Sequence, residues 1–171
     1  MTRLPGRFIA LFLVALAHAT MYILPLSAAT MGKQTGLPVP RYVSLRAEEV
    51  NVRTGPGSRY PIAWVFQRRS LPVEVVAEFD TWRKIRDSDG TQGWVHQSML
   101  SGRRTVLVIG DTRTLRLDPN RSAPVVARME PGVLARLQAC SYDWCEVKVS
   151  GLTGWVNRAY IWGVGLAEGI D

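Results

Sequence analysis

Apolar and polar residues alternate over short stretches of this chain, and turn-forming residues separate the stretches. Val73, Val75 and Ala77 occupy every second position, which is the periodicity of a strand with one buried face. Turn signals such as Asp87-Ser88-Asp89-Gly90 and Ser150-Gly151 follow within a few residues. Short alternating strands bounded by such turns predict an all-β sandwich or small barrel.

The alternating pattern occurs twice. Residues 42–100 align with residues 105–162, and the offset between equivalent positions drifts only from 63 to 61 residues. Trp82 and Gly93-Trp94-Val95 in the first copy match Trp144 and Gly154-Trp155-Val156 in the second. The repeat predicts two tandem domains, at 42–102 and 103–165. Units this small bury little surface alone, so we expect them to pack against each other.

Each repeat opens with a strand that carries an arginine and runs into a proline turn. Residues 51–57 read NVRTGPG and residues 114–120 read TLRLDPN. With Leu71-Pro72-Val73, Trp82-x-x-Ile85 and Gly93-Trp94-Val95, the first motif resembles the bacterial SH3 family. The resemblance implies two SH3-like β-barrels, each of five or six strands, that bind cell-wall peptides or other proteins. Such barrels often accompany a hydrolase, and no hydrolase is recognised in this sequence.

Residues 1–29 have the pattern of a signal peptide. Arg3 and Arg7 precede an unbroken apolar run over residues 8–17, and small residues follow. Cleavage after Ala29 is favoured because Ser27-Ala28-Ala29 fits the small-x-small rule and Pro25 ends the signal helix. Cleavage after Ala19 and an uncleaved anchor over residues 8–26 are the alternatives. Residues 30–41 are then a linker, residues 166–171 a tail, and the protein periplasmic or secreted.

The charge balance favours some partners over others. The chain has 21 basic and 14 acidic residues, and loss of the two signal-peptide arginines leaves a net charge of +5. This surplus suits weak attraction to anionic envelope polymers. Export and the absence of a long Lys/Arg tract argue against nucleic acid as a partner. We expect no stable membrane insertion after signal cleavage.

The residues that could carry catalysis are sparse. After the signal peptide the only histidine is His96, and the only cysteines, Cys140 and Cys145, lie in the other repeat. A nucleophilic cysteine needs a base within hydrogen-bond reach, and a closed zinc site needs four ligands. The sequence therefore predicts no catalytic residue, no metal site and no cofactor.

The two cysteines are predicted to form a disulfide. They flank the short turn Ser141-Tyr142-Asp143-Trp144 in a chain expected to enter an oxidising compartment. If Ala139 and Val147 both face the core, strict alternation puts the cysteines on opposite faces. A bulge or irregular turn is then required to bring the sulfurs together. The aligned positions in the first repeat hold an opposite-charge pair, Glu78 and Arg83.

A ligand groove is expected on the first repeat, which keeps the full turn motif. Flat aromatic rings provide contact area at low entropic cost. The predicted ligand-binding residues are Arg53, Tyr60, Trp64, Trp82 and Trp94. Arg53 would meet a carboxylate, or else brace its turn through backbone carbonyls.

For Trp94 and its equivalent Trp155, filling the core is the favoured alternative to ligand contact, because tryptophan is widely used in small cores. The basic run Arg83-Lys84-x-Arg86 is read as a solvated strand face. It becomes a ligand face only if an aromatic residue adjoins it.

Three functions are compatible with these observations. The leading one is a non-catalytic module that binds cell-wall peptide or a related envelope polymer. A periplasmic protein-protein interaction adaptor is the alternative, and an envelope enzyme comes third. A basic, hydrated groove favours a polymer that carries carboxylates, whereas a flat apolar one favours a protein partner.

Overall fold

The computed structural model describes residues 30–165 and 168–170, so the predicted signal peptide lies outside it. This part of the chain contains two seven-stranded antiparallel sheets, one two-stranded sheet and no α-helix. None of its helices is long and apolar enough to cross a membrane. Two short 3₁₀ helices cover Gln97–Met99 and Arg158–Tyr160. The strands are β1 (Thr30–Met31), β2 (Pro38–Val39), β3 (Arg41–Leu45), β4 (Val50–Arg53), β5 (Ile62–Phe66), β6 (Pro72–Phe79), β7 (Trp82–Arg86), β8 (Gln92–His96), β9 (Leu100–Ser101), β10 (Thr105–Val108), β11 (Arg113–Arg116), β12 (Val125–Met129), β13 (Leu134–Ser141), β14 (Trp144–Val149), β15 (Leu152–Asn157) and β16 (Ile161–Trp162).

The two large sheets have the same topology, which confirms the tandem repeat and the all-β fold. The first sheet has the order β5-β4-β8-β7-β6-β3-β9, and the second has the order β12-β11-β15-β14-β13-β10-β16. Each sheet wraps around its own buried cluster. The first cluster is centred on Val50, Val52, Val73, Val75, Ile85 and Val95, and the second on Val106, Val108, Leu115, Val147 and Val156.

A glycine at the same place in each barrel allows a neighbouring strand to pack closely against it. A Cβ atom added at Gly93 would lie 2.3 Å from Val52 Cγ1, and one at Gly154 would lie 2.6 Å from the Arg116 carbonyl oxygen. Both distances are far below van der Waals contact, so only glycine fits without a shift of the neighbouring strand. This explains why both repeats contain Gly-Trp-Val.

A bulge interrupts the long central hairpin of each barrel. The register of β6 on β7 shifts between Val75 and Ala77, and that of β13 on β14 shifts between Leu137 and Ala139. The expectation that Ala77 and Ala139 face the core is therefore wrong. The extra residue in each bulge moves the alanine off the core face, and both alanines are half-buried.

The residue after each alanine is buried instead. In the second barrel this residue is Cys140, which is paired with Cys145 across the hairpin and bonded to it at an S–S distance of 2.08 Å. The predicted disulfide and the irregularity it requires are both confirmed. In the first barrel the equivalent residues are Glu78 and Arg83, whose charged groups lie 3.7 Å apart.

Residues 30–41 form a hairpin that docks on Glu78, where the sequence suggests a linker. The side chain of Glu78 is only 2% exposed. Its carboxylate accepts hydrogen bonds from the Thr35 hydroxyl (2.6 Å) and from the amides of Gln34 (3.0 Å) and Thr35 (3.1 Å). Arg41 adds an ion pair at 2.8 Å. Burial alone would raise the pKa of Glu78, but these hydrogen bonds lower it to about 2.

The C-terminal residues dock on the second barrel at the equivalent place. The amide of Cys140 donates to the Ile170 carbonyl oxygen at 2.9 Å. Glu168 accepts from Arg104 Nη1 at 2.5 Å, and the buried Arg158 donates to the carbonyl oxygens of Gly165 and Glu168. Each barrel thus has a terminal segment attached at its central hairpin.

The two barrels contact each other through buried polar groups and aromatic rings, as their small size led us to expect. The Ser44 hydroxyl lies 2.5 Å from the Thr105 hydroxyl, which in turn donates to the Ser70 carbonyl oxygen at 2.7 Å. Beside them, the rings of Tyr42 and Trp162 meet edge to face at 5.2 Å. Burial, with help from nearby carboxylates, raises the pKa of Tyr42 to about 12.

We predict that Glu78→Gln makes the stability of the protein less dependent on pH. The pKa of Glu78 falls on folding, so its stabilisation is present above the unfolded-chain value of roughly 4.3 and is lost as pH drops toward about 2. The variant should melt below the wild type near neutral pH, and the difference should shrink over this acidic window. Thermal unfolding across pH tests this, with the exposed Glu130→Gln as control. A constant difference at all pH values would contradict it.

We predict that Cys140→Ser/Cys145→Ser weakens the second barrel by about 2 kcal/mol, because the small covalent loop no longer restricts the unfolded chain. Amide hydrogen exchange at the core residues Val147 and Ile85 reports the stability of each barrel separately. Protection should fall more at Val147, in the second barrel, than at Ile85, in the first. Equal losses at both positions, or free thiols in the unreduced wild type, would count against this account.

Candidate functional site

The first barrel carries aromatic and basic side chains on the outer face of three adjacent strands. Trp94 alternates with the buried Gly93 and Val95, so its side chain lies on the face away from the core. Across the strands, Trp94 is paired with Lys84 on one side and Arg53 on the other. Trp82 is paired with His96, and their rings meet edge to face at 5.5 Å. We call Arg53, Trp82, Lys84, Trp94 and His96 the outer strip.

This arrangement corrects the core interpretation of Trp94 and Trp155. Both are half-buried on the outer face, because the glycine and valine on either side of each already take the inward positions. Three of the five predicted ligand residues, Arg53, Trp82 and Trp94, are therefore brought together.

The other two predicted ligand residues lie elsewhere. Trp64 is paired with the buried Val52 and packs against the core cluster, where its ring meets Phe66 edge to face. The ring of Tyr60 lies against the turn at Gly55, where an added Cβ would come within 2.4 Å of it. The Trp64 ring therefore packs on the barrel core, and the Tyr60 ring packs on the turn.

Arg53 makes the bracing contact that the sequence suggested as an alternative. Its Nη1 donates to the Tyr60 carbonyl oxygen at 2.7 Å, and Arg116 donates to the Ala123 carbonyl oxygen at 2.6 Å in the second barrel. Each arginine spans its proline turn in the same way. Contact of Arg53 with a ligand stays a prediction.

A basic groove adjoins the outer strip. Its volume is about 380 Å³, and its lining comprises Pro40, Val76, Ala77, Lys84, Arg86 and Gln92. Arg86 forms an ion pair with Glu74, whereas Lys84 stands beside Trp94. An aromatic residue thus adjoins the basic run, which is the condition under which that run becomes a ligand face.

Lys84 and His96 were not among the predicted site residues. The signal that would have found them is the two-residue spacing from Trp82 to Lys84 and from Trp94 to His96, since residues at that spacing share a strand face. Over residues 30–165 and 168–170, no three His, Cys, Asp or Glu side chains come close enough together to hold a metal ion.

The second barrel has an equivalent face with different charges. Trp155 is paired with Arg116 and with Glu146, which occupies the position of Lys84. Trp144 is paired with Asn157, which occupies the position of His96. The tryptophans are retained, while the lysine that makes the first face basic is replaced by an acid.

The sequence of this chain is similar to a known domain family and to a known protein. The model of the bacterial SH3 domain family matches residues 46–102 and 110–163. A curated protein of Bacillus subtilis (strain 168), "Putative N-acetylmuramoyl-L-alanine amidase YrvJ", is 25% identical over 139 residues. The match covers 74% of this chain and 26% of that protein, so the chain spans about a quarter of its relative.

Solved structures of two Trichomonas vaginalis proteins also match. NlpC2 is 8% identical with a TM-score of 0.34, over 72% of this chain and 48% of that one. NlpC1 is 9% identical with a TM-score of 0.33, over 81% of this chain and 50% of that one. Both scores are below 0.5, so neither likeness bears on the fold described above.

We predict that Arg53→Ala and Arg116→Ala each lower the free energy of unfolding by roughly 1 to 2 kcal/mol, because each removes a charged donor from a turn carbonyl. Chemical denaturation measures the change, and the exposed Arg69→Ala should stay within about 0.5 kcal/mol of the wild type. If neither turn variant is less stable than Arg69→Ala, the bracing role is refuted.

Proposed function

This chain belongs to the bacterial SH3 domain family, and from that premise we propose that it is a non-catalytic binding protein of the cell envelope. Its first barrel holds a cell-wall peptide or a related envelope polymer on the outer strip. The observation that carries the proposal is the placement of Trp82 and Trp94 on one outer face beside Lys84 and Arg53.

The chemistry of the outer strip matches a ligand with flat or apolar groups and carboxylates. The half-buried ring of Trp82 is held against the His96 ring, so stacking on it costs little side-chain entropy. Lys84 and Arg53 supply positive charge within one strand spacing of Trp94, where a carboxylate would form a charge-assisted pair. The groove of about 380 Å³ meets the strip at Lys84, where an extended chain could continue beyond the strip.

Two features support a binding role over a catalytic one. Both cysteines of the sequence are joined in the disulfide, so neither is free to act as a thiolate nucleophile. His96 contacts the Trp82 ring, and its Nδ1 lies 2.7 Å from the Ser98 hydroxyl, which fixes the imidazole within the strip. The amidase named among the relatives is about four times longer than the matched region, so its activity is not carried over to this chain.

The adaptor hypothesis has its own support in the second barrel. Leu117 and Val125 are 57% and 56% exposed, and Val125 lies on β12, at the edge of its sheet. An exposed apolar patch at a sheet edge suits contact with another protein. In the described part of the chain, the patch has only these two apolar residues and no aromatic ring, so polymer binding remains the primary proposal.

We predict that Trp94→Ala reduces co-sedimentation with purified cell wall at least fivefold, because the ring at the centre of the outer strip is removed. Trp155→Ala is the matched control, since it removes the equivalent ring from the face where Glu146 replaces Lys84. This control should bind as the wild type does. Raising the salt concentration should weaken wild-type binding, because the charged contacts are screened.

Equal losses in the two tryptophan variants would show that the first barrel has no special role. Failure of the wild type to sediment with cell wall at low salt would refute polymer binding. Capture of a defined envelope protein by the wild type, with loss of capture on Leu117→Ser, would then establish the adaptor function.

A further inference from the structure

A pocket on the second barrel has no equivalent charge pattern in the first. Its volume is about 260 Å³, and it opens on the face that carries Trp144 and Asn157. Its lining includes Arg113, Arg116, Arg121, Trp144, Asn157 and Tyr160. Three of these are arginines and none is acidic.

The positive charge of the pocket is poorly compensated. Among the described residues, the ion pair made by a pocket arginine joins Arg113 Nη2 to Asp111 Oδ2 at 3.5 Å, and the side chain of Asp111 is 90% exposed. Arg116 donates to the neutral carbonyl oxygen of Ala123. Among the described residues, neither Arg116 nor Arg121 takes part in an ion pair. The pocket therefore presents a net positive potential to an incoming anion.

Arg113 is held in a fixed orientation. Its guanidinium lies over the Tyr160 ring at 4.0 Å from the ring centre, and an added Cβ at Gly110 would come within 2.9 Å of its Nη2. Its Nε is buried and donates to no acceptor in the part of the chain that the structure describes. A guanidinium fixed in advance loses little freedom when its two terminal nitrogens bind a carboxylate.

Two of the three arginines in this pocket stand where the second repeat departs from the first. Aligned with an offset of 63 residues, Val50 stands at the position of Arg113 and Ser58 at that of Arg121. Val50 is buried in the first core, whereas Arg113 is half-buried and stacks on Tyr160. The departures of the second repeat thus add two cations to one pocket.

We propose that this pocket binds the C-terminal carboxylate of a short peptide, with Arg113 and Arg121 holding the carboxylate. Trp144 and Tyr160 pack against the small apolar residue that carries it. A volume of about 260 Å³ is below the roughly 300–1,000 Å³ of complete small-molecule sites, which suits the end of a chain more than its middle. This inference rests on the proposed function, because wall peptide would present such a terminus.

The test compares two ligands and two charge variants. N-acetyl-alanyl-alanine with a free carboxylate is titrated against the wild type, and its C-terminal amide serves as the matched ligand. The readout is the indole N–H resonance of Trp144, assigned with Trp144→Phe. Arg121→Glu reverses one exposed charge of the pocket, and Arg136→Glu makes the same change at an exposed position outside it.

We expect the free acid to shift the Trp144 signal and the amide to leave it unmoved. Arg121→Glu should weaken binding of the acid at least tenfold, whereas Arg136→Glu should change it less than twofold. Binding of the amide as tight as that of the acid would overturn the carboxylate assignment. An equally large shift with inorganic phosphate at the same concentration would indicate a general anion site and overturn the peptide assignment. Absence of a shift with every probe would refute the proposal.

The two proposals fail separately. If the acid does not move the Trp144 signal while the wild type still sediments with cell wall through Trp94, only the peptide-terminus inference is refuted. If the acid binds and Arg121→Glu abolishes that binding, but the wild type does not sediment with cell wall, the envelope-polymer function is refuted and the pocket stands.

Discussion

The close packing of the neighbouring strand at Gly93 and Gly154 is the constraint on which the rest of this molecule depends. A side chain at either glycine would collide with the neighbouring strand, so β4 and β11 pack closely against β8 and β15, with which they are paired. The valine two residues later faces the same core, which leaves the intervening tryptophan on the outer face. The same requirement that closes each barrel thus exposes Trp94 beside Arg53.

The bulge in the central hairpin is the second shared constraint, and the two barrels use it differently. It turns one residue inward opposite a partner on the next strand. In the second barrel the pair is Cys140 and Cys145, joined covalently. In the first it is Glu78 and Arg83, and the buried carboxylate is satisfied by the N-terminal hairpin. A buried charge needs such partners, which explains why that hairpin docks there.

Much of this architecture is predictable from the sequence, because strand alternation and the repeat act locally and twice. The disulfide and its irregular hairpin follow from the conflict between alternation and the position of Cys140. Composition does not predict which face of the sheet Trp94 and Trp64 occupy. Tryptophan generally prefers cores, but the strand register decides which face each side chain takes. The hairpin at 30–41 and the pocket around Arg113 depend on contacts between segments distant in sequence, which periodicity does not encode.

A glycine placed for strand packing leaves an aromatic and basic face on the outside of the first barrel, and we propose that this face binds the ligand. A crystal structure of the protein with a soluble cell-wall peptide tests this most directly. We expect the peptide to lie on the outer strip, within about 4 Å of the Trp82 and Trp94 rings, with a carboxylate beside Lys84. A peptide bound elsewhere on the protein, with both rings left uncovered, would contradict the claim.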